Sequence, residues 1–340
     1  MEALLYEQLK DGGVCCWLCS HHCVIKAGRR GLCNVRENRG GRLHTLVCDK
    51  VVACHVDPIE KKPLFHFYPG SMAYSIGTVG CNFRCRFCQN ADIAQMATDY
   101  DGRIIGKSMT PEGIVAGAIQ SGCKSIAYTY TEPTVFFELA YAVATAARER
   151  GVKNIFVTNG YMSPEALDMI HPVLDAANVD LKAFSDDFYK KQCGARLAPV
   201  LETLKKMKSI GVFVEVTTLI IPGLNDDPSE LKALAGFIVG DLGADTPWHV
   251  SRFHPTYRLT DRPSTPVNTL LRARDIGMAA GLKYVYPGNV PGLSAENTVC
   301  YGCGETVIER RGFTVMENRI KNHGCPACGA LIHGVGLSGA

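Results

Sequence analysis

The chain has 340 residues, 46% of them hydrophobic and 20% charged, with a formal net charge of +3. This describes a globular protein with a substantial core, and the charge is too mild to argue for a nucleic-acid or membrane-surface partner. No apolar run reaches membrane-spanning length, and the polar start MEALLYEQLKDGG has no signal-like hydrophobic stretch, so a cytoplasmic protein is expected. Cysteine is the unusual count, at 16. In a chain read as cytoplasmic, that many thiols point to metals before disulfides.

In chain order, residues 1–70 form a cysteine-rich segment carrying Cys16, Cys19, Cys23 and Cys33. Their spacing is irregular, and His21 and His22 stand among them as competing donors. Zinc is the first reading of this set and an auxiliary [4Fe–4S] cluster the second. Residues 71–294 alternate. Short β-rich runs appear at MAYSIGT, SIAYTYT, NIFVTNG, NVDLKAF, VFVEVTTLIIP, WHVSRFHP and KYVYPGN. Helix starts lie between them: Thr110-Pro111-Glu112, Ser163-Pro164-Glu165 and Asp227-Pro228-Ser229-Glu230 each set a capping side chain before a proline, with an acid in the first turn. The stretch from Val135 to Arg150 reads as a helix stopped by Gly151. Strand–helix alternation implies parallel pairing through crossovers, and six or seven units suit a partial (βα)6-type parallel barrel of the α/β class. A doubly wound open sheet competes, but no GxGxxG follows the first strand.

Cys81, Cys85 and Cys88 follow that first strand. Zinc sites and electron-transfer clusters usually take four protein ligands, so three thiols leave a metal corner open for chemistry. Residues 295–340 carry Cys300-x2-Cys303 and Cys325-x2-Cys328, each pair followed by glycine, which is the spacing of a zinc ribbon. Most of the remaining five, Cys15, Cys48, Cys54, Cys123 and Cys193, read as buried small hydrophobes. The two terminal sets flank the barrel in sequence, so one or both can cap its open side.

Parallel α/β folds bind ligands at the carboxyl ends of their strands. Here those ends read Tyr130-Thr131-Glu132-Pro133, Thr158-Asn159-Gly160, Asp180-Leu181-Lys182, Pro222-Gly223-Leu224-Asn225-Asp226 and Arg252-Phe253-His254-Pro255, beside the cysteine loop. So many polar endings around one rim define a candidate site. The plainer alternatives are a turn at Asn159-Gly160, a solvated Lys182 and a structural His254.

Cys81-x3-Cys85-x2-Cys88, with aromatic Phe87 before the last cysteine, resembles the signature of the radical S-adenosylmethionine (SAM) superfamily. More narrowly, the chain resembles the activating-enzyme branch typified by pyruvate formate-lyase activating enzyme, and within it the radical SAM member of the AmmeMemoRadiSam group. DPIEKKPLFHFYPG, GTVGCNFRCRFCQN, YTYTEPT, DLKAF and the terminal cysteine sets carry that likeness over nearly the whole chain. The resemblance implies three thiolates on a [4Fe–4S] cluster whose fourth iron is chelated by SAM. It further implies reductive cleavage of SAM to methionine and a 5′-deoxyadenosyl radical that takes hydrogen from a substrate.

Site residues follow by the same resemblance. Glu132 takes the place of the glutamate in a Gly-Gly-Glu motif that receives the SAM amino group. Tyr130 and Thr131 replace the glycines, so the backbone there is expected to differ. Asn159 and Lys182 match SAM-contacting strand ends, with Lys182 suited to the SAM carboxylate. Thr217 stands where relatives can carry an arginine, and His254 matches a histidine near the cofactor. Val157 replaces an aspartate through which relatives bind a monovalent cation, so that ion is not expected. An electron donor such as flavodoxin or ferredoxin and a protein or peptide substrate are the implied partners. Arg252, Tyr257, Arg258, Tyr284 and Tyr286 are candidate anchors for such a substrate. A metal-binding assembly module with a silent barrel is the competing class. The intact cysteine trio and Glu132 argue against it.

Overall fold

The computed structural model describes residues 1–290 and 294–338. Its centre is one eight-stranded sheet: β1 (Ala53–Pro58), β2 (Met72–Gly77), β3 (Ser125–Tyr128), β4 (Lys153–Thr158), β5 (Ala176–Asp180), β6 (Phe213–Ile220), β7 (Trp248–Arg252) and β8 (Val285–Gly288). Neighbours in the sheet are neighbours in sequence, from β1 at one edge to β8 at the other. The strands from β2 to β8 run parallel, and β1 is antiparallel to β2. Every β-rich run read from the sequence is a strand of this sheet. With β1 and β8 as free edges, the sheet forms the expected partial barrel.

Helices connect the parallel strands: α1 (Pro111–Gln120), α2 (Phe137–Glu149), α3 (Pro164–Ile170), α4 (Leu197–Ser209), α5 (Pro228–Phe237) and α6 (Val267–Ala279). Their starts are the ones the sequence marks. Thr110 accepts from the Gly113 N–H, Ser163 from the Ala166 N–H, and Asp227 from the N–H groups of Ser229 and Glu230. Each cap contributes about 1 kcal/mol. On α4, Val200, Leu204 and Met207 recur at helical spacing and are buried, which pins that face to the sheet. The helix expected from Val135 begins with a tight 3-10 turn at Pro133–Phe136, capped by Glu132, before α2.

Residues 53–70, read from the sequence with the N-terminal segment, belong to the barrel. β1 gains its strand by pairing along the free edge of β2, a tertiary cause that its own sequence does not advertise. The chain then runs inside the barrel. The Pro63 carbonyl accepts from Asn178 Nδ2 at 2.7 Å, and the N–H groups of Phe65 and His66 donate to the Glu215 carboxylate at 3.1 and 2.7 Å. The Phe65 ring packs on His249 and Tyr286. This segment is the floor of the barrel interior.

The N-terminal segment forms a small sheet (Tyr6–Gln8, Val14–Cys16, Cys23–Ile25) and a hairpin (Arg36–Arg39 with Arg42–Thr45). It is anchored at the start of α2, where Glu138 receives the Leu4 N–H at 2.7 Å and buried Arg36 at 2.9 Å. The C-terminal segment is a three-stranded ribbon (Thr298–Val299, Thr306–Arg311, Thr314–Asn318). It docks on the floor: Tyr68 N–H donates to the Val335 carbonyl, Val335 N–H to the His66 carbonyl, and Arg310 to the Phe65 carbonyl, all at 2.8 Å. Among the described residues, no helix is long and apolar enough to cross a membrane.

Candidate active site

At the carboxyl ends of the strands lies a cavity of about 520 Å³. Cys81, Cys85, Cys88, Phe87, Thr131, Glu132, Asn159, Lys182 and Thr217 all line it. His254 does not. β7 stops at Arg252, and His254 beyond it is exposed, with Nδ1 3.1 Å from Ser264 Oγ.

The cysteine loop leaves β2 through Gly80, whose φ is +101°. A Cβ there would sit 2.6 Å from Val35, so only glycine passes beneath the N-terminal segment. The loop is then fixed on two sides. Arg84 and Arg86 N–H groups donate to the carbonyls of Cys193 and Gln192 at 2.8 and 2.9 Å. On the other side the Arg258 N–H donates to the Arg86 carbonyl at 2.9 Å, while Tyr257 and Arg258 bind the two oxygens of Asp99, in the helix that follows the loop, each at 2.8 Å. These two rim residues, candidates for substrate anchors, are thus spent on holding the loop. Arg252 is tied to the Thr265 carbonyl, and Tyr284 and Tyr286 are buried in the floor.

The three thiols do not converge. Among the described residues, the C-terminal quartet is the one group of three or more metal-ligating side chains whose donor atoms all lie within 4.8 Å of one another. A single ion draws its ligands together, whereas thiolates on separate irons stand farther apart. Cys85 is pulled below the ordinary thiol value by a hydrogen bond with Cys193, with burial opposing and Lys182 assisting. Burial pushes Cys88 up to about 11. Cys193, expected from the sequence to be a buried small hydrophobe, is buried in the core, and no motif spacing ties it to the trio.

Glu132 is buried and heavily bonded. Oε1 accepts from Thr134 N–H at 3.1 Å, Thr134 Oγ1 at 2.6 Å and Thr158 Oγ1 at 2.7 Å, while Oε2 accepts only from Asn159 N–H at 2.8 Å. Burial raises its pKa despite those bonds. It is a structural cap with one oxygen half free. Tyr130 sits at φ +66°, the left-handed region that favours glycine. The backbone expected to differ for want of glycine therefore keeps a glycine-like turn, held by Tyr130 Oη on Asp57 at 2.6 Å and by Asn90 on the Tyr130 carbonyl at 2.7 Å.

Asn159 Nδ2 donates to Asn82 Oδ1 at 2.7 Å and lies 3.8 Å from Cys81 Sγ, so it braces the cysteine loop. Lys182 Nζ pairs with Asp180 at 3.0 Å. Burial works against its charge, but Asp180, Cys85 and Cys193 outweigh it and hold the ammonium protonated. The Thr217 hydroxyl is buried with no protein partner. The floor adds residues that sequence reasoning missed. Lys62 lines the cavity, pairs with Asp57 at 2.6 Å and lies 4.7 Å from the Tyr130 ring centroid. The signal was present in DPIEKKP, whose dense charges sit between apolar neighbours.

The terminal sets differ. Cys300–Cys328 and Cys303–Cys325 sulfurs are each 3.7 Å apart. A tetrahedral ion with bonds of about 2.3 Å gives sulfur–sulfur edges of about 3.8 Å. Gly304 and Gly329, after the second cysteine of each pair, have φ near +80° and turn the two knuckles as expected. The N-terminal thiols line one hollow, and no three of their sulfurs lie within 4.8 Å of one another.

Comparison with known proteins places this geometry in a class. The sequence signature described as the Radical SAM superfamily matches residues 75–236. A Methanocaldococcus jannaschii protein named Uncharacterized protein MJ0808 is 49% identical over 333 residues, covering 97% of this chain and 98% of its own. Pyruvate formate-lyase-activating enzyme of Clostridium pasteurianum is 26% identical over 166 residues, covering 47% of this chain and 66% of its own. Among solved structures, a radical SAM methyltransferase from Sphaerobacter thermophilus matches with a TM-score of 0.51 at 17% identity, over 67% of this chain and 70% of its own; that likeness concerns the fold alone. The chain belongs to the radical SAM superfamily, whose fold implies a [4Fe–4S] cluster and SAM.

Proposed function

We propose that the chain cleaves SAM reductively at a [4Fe–4S] cluster on Cys81, Cys85 and Cys88, and directs the radical at a glycyl residue of a partner protein or peptide. The observation that carries the first part is the set of three separated thiols opening onto a cavity with unspent polar groups. The residues fit the group: the three thiols do not all lie within 4.8 Å of one another, and Glu132 and Thr217, whose hydroxyl has no protein partner, line a space of ligand size. When bound, the cluster and SAM supply the electron transfer and the 5′-deoxyadenosyl radical. The protein's own part is positioning. Glu132 Oε2 accepts from the SAM amino group, Lys182 meets its carboxylate, and Asn159 holds the cysteine loop in register. The floor segment and the docked ribbon exclude water from beneath. The C-terminal quartet holds zinc in a structural role, and a low-potential donor such as flavodoxin or ferredoxin provides the electron.

The second part rests on relatives whose names make another enzyme their object, pyruvate formate-lyase and benzylsuccinate synthase. Two measurements test the reading. Replacing Cys81, Cys85 and Cys88 with Ala abolishes 5′-deoxyadenosine formation and removes about four irons per chain; persistence of both activity and iron rules the cluster assignment out. Reduced enzyme and SAM are then given host proteins grown on α-deuterated glycine. Label in 5′-deoxyadenosine with a glycine-centred radical doublet supports a glycyl target. Label arriving from a small metabolite, with none from protein, defeats it.

A further inference from the structure

We propose that Cys16, Cys19, Cys23 and Cys33 hold a second four-iron cluster rather than a zinc ion. The four thiols line one hollow of about 20 Å³, enclosed between the N-terminal sheet and the cysteine loop. The C-terminal quartet shows how this chain arranges thiols that share one ion, with sulfurs 3.7 Å apart. The N-terminal thiols surround their hollow without converging to that distance. A four-iron core gives each thiolate its own iron and spreads the sulfurs over a larger figure, which agrees with a quartet whose sulfurs do not gather within 4.8 Å.

The other lining residues point the same way. Arg36 is 1% exposed. Its Nη2 is bound to Glu138 and to the Leu4 carbonyl, but Nε and Nη1 have no partner. Asn82 is 3% exposed, and its Nδ2 is unpartnered too. Both residues line the hollow. Orphaned donors at that depth are costly unless a ligand accepts from them. A thiolate-ligated cluster is anionic, and its sulfurs accept N–H bonds, so it satisfies a buried guanidinium edge and an amide together. His21, the competing donor in the sequence, ties its Nε2 to the Asn82 carbonyl at 2.8 Å. Asn82 also takes the Asn159 amide that lies against Cys81, so it links the lining of this hollow to the cysteine loop.

The test is the metal content of the full chain, reconstituted anaerobically with iron, sulfide and zinc. The expected result is about eight irons and one zinc per chain. About four irons and two zincs overturn the proposal. The variant Cys81→Ala/Cys85→Ala/Cys88→Ala separates this site from the SAM-binding cluster. Iron lost in it belongs to that cluster, and retained iron that is lost in turn when Cys16 and Cys33 are changed to Ser belongs to the N-terminal quartet, so either assignment can fail alone. The proposal requires about four irons and a [4Fe–4S] Mössbauer signature to remain in the variant; an iron-free variant overturns it. Changing Cys16 and Cys33 to Ser in the otherwise intact chain is expected to remove the second cluster and leave 5′-deoxyadenosine formation measurable.

Discussion

Two residues of one strand show how differently the two ends of the barrel interior are built. Glu215 and Thr217 lie two positions apart on β6 and so share its inward face. Glu215 is spent completely, accepting from the Phe65 and His66 N–H groups and from His249 Nε2–H at 2.7 Å. Thr217 has no protein partner. Around Glu215 the floor continues as a closed chain of donors and acceptors. The His333 carbonyl only accepts, so His66 Nδ1 carries the proton toward it at 2.6 Å. Nε2 then accepts from Tyr286 Oη at 2.6 Å, Tyr286 from Thr298 at 3.0 Å, and Thr298 from Arg310 at 2.7 Å. Most of the floor's named polar groups are committed to folding, although Asn178 Oδ1 and Arg310 Nε are buried there without a hydrogen-bond partner; at the mouth the Thr217 hydroxyl is unpartnered.

The largest expected effect comes from breaking the floor. Glu215→Ala leaves two buried N–H groups and His249 unpartnered and is expected to cost about 3–5 kcal/mol of stability. SAM cleavage per folded molecule is expected to stay unchanged. Denaturant unfolding and activity on the same anaerobic sample test the separation; normal stability with lost cleavage would show that the two layers are not independent.

A smaller effect follows from pH. Burial lowers the His66 pKa from 6.5 to about 4, with Glu215 opposing. The folded floor thus keeps His66 neutral, while the unfolded chain takes the proton near 6.5. Stability from neutral His66 is intact above pH 6.5 and is lost as pH falls toward 4, by at most about 3 kcal/mol. Ligand thiolates also lose metal in acid, so the informative quantity is the difference between wild type and His66→Gln. If the two unfolding profiles fall in parallel from pH 6.5 to 4, His66 is not the sensor.

The mouth was more legible in the sequence than the floor, and the reason is locality. Caps, prolines and β-rich runs act over a few residues, so Thr110, Ser163 and Asp227 announced their helices, and the strand ends announced the site. The floor partner of Phe65 lies 150 positions away, and residues 59–70 carry neither strand nor helix periodicity. His254 lies off the cavity lining because β7 ends two residues before it. The nuclearity of the N-terminal quartet was unreadable because spacing counts ligands, whereas the distance between sulfurs is a property of the fold.

The smallest effect sharpens the comparison most, because Glu132 belongs to both layers. Its Oε1 is spent like the floor, with three donors, and its Oε2 is half open like the mouth. In Glu132→Gln, the amide oxygen can replace Oε1, but the amide nitrogen then faces the Asn159 N–H, donor against donor. The charge that would meet the SAM amino group is lost as well. SAM is expected to bind roughly 10-fold more weakly, about 1.4 kcal/mol, with the cluster intact. Calorimetry with SAM alongside thermal unfolding divides the two roles. A weaker SAM affinity assigns Oε2 to the ligand. A lower unfolding temperature with unchanged SAM affinity would make Glu132 wholly a cap for the turn at Pro133–Phe136, and the amino-group contact would have to be sought elsewhere on the rim.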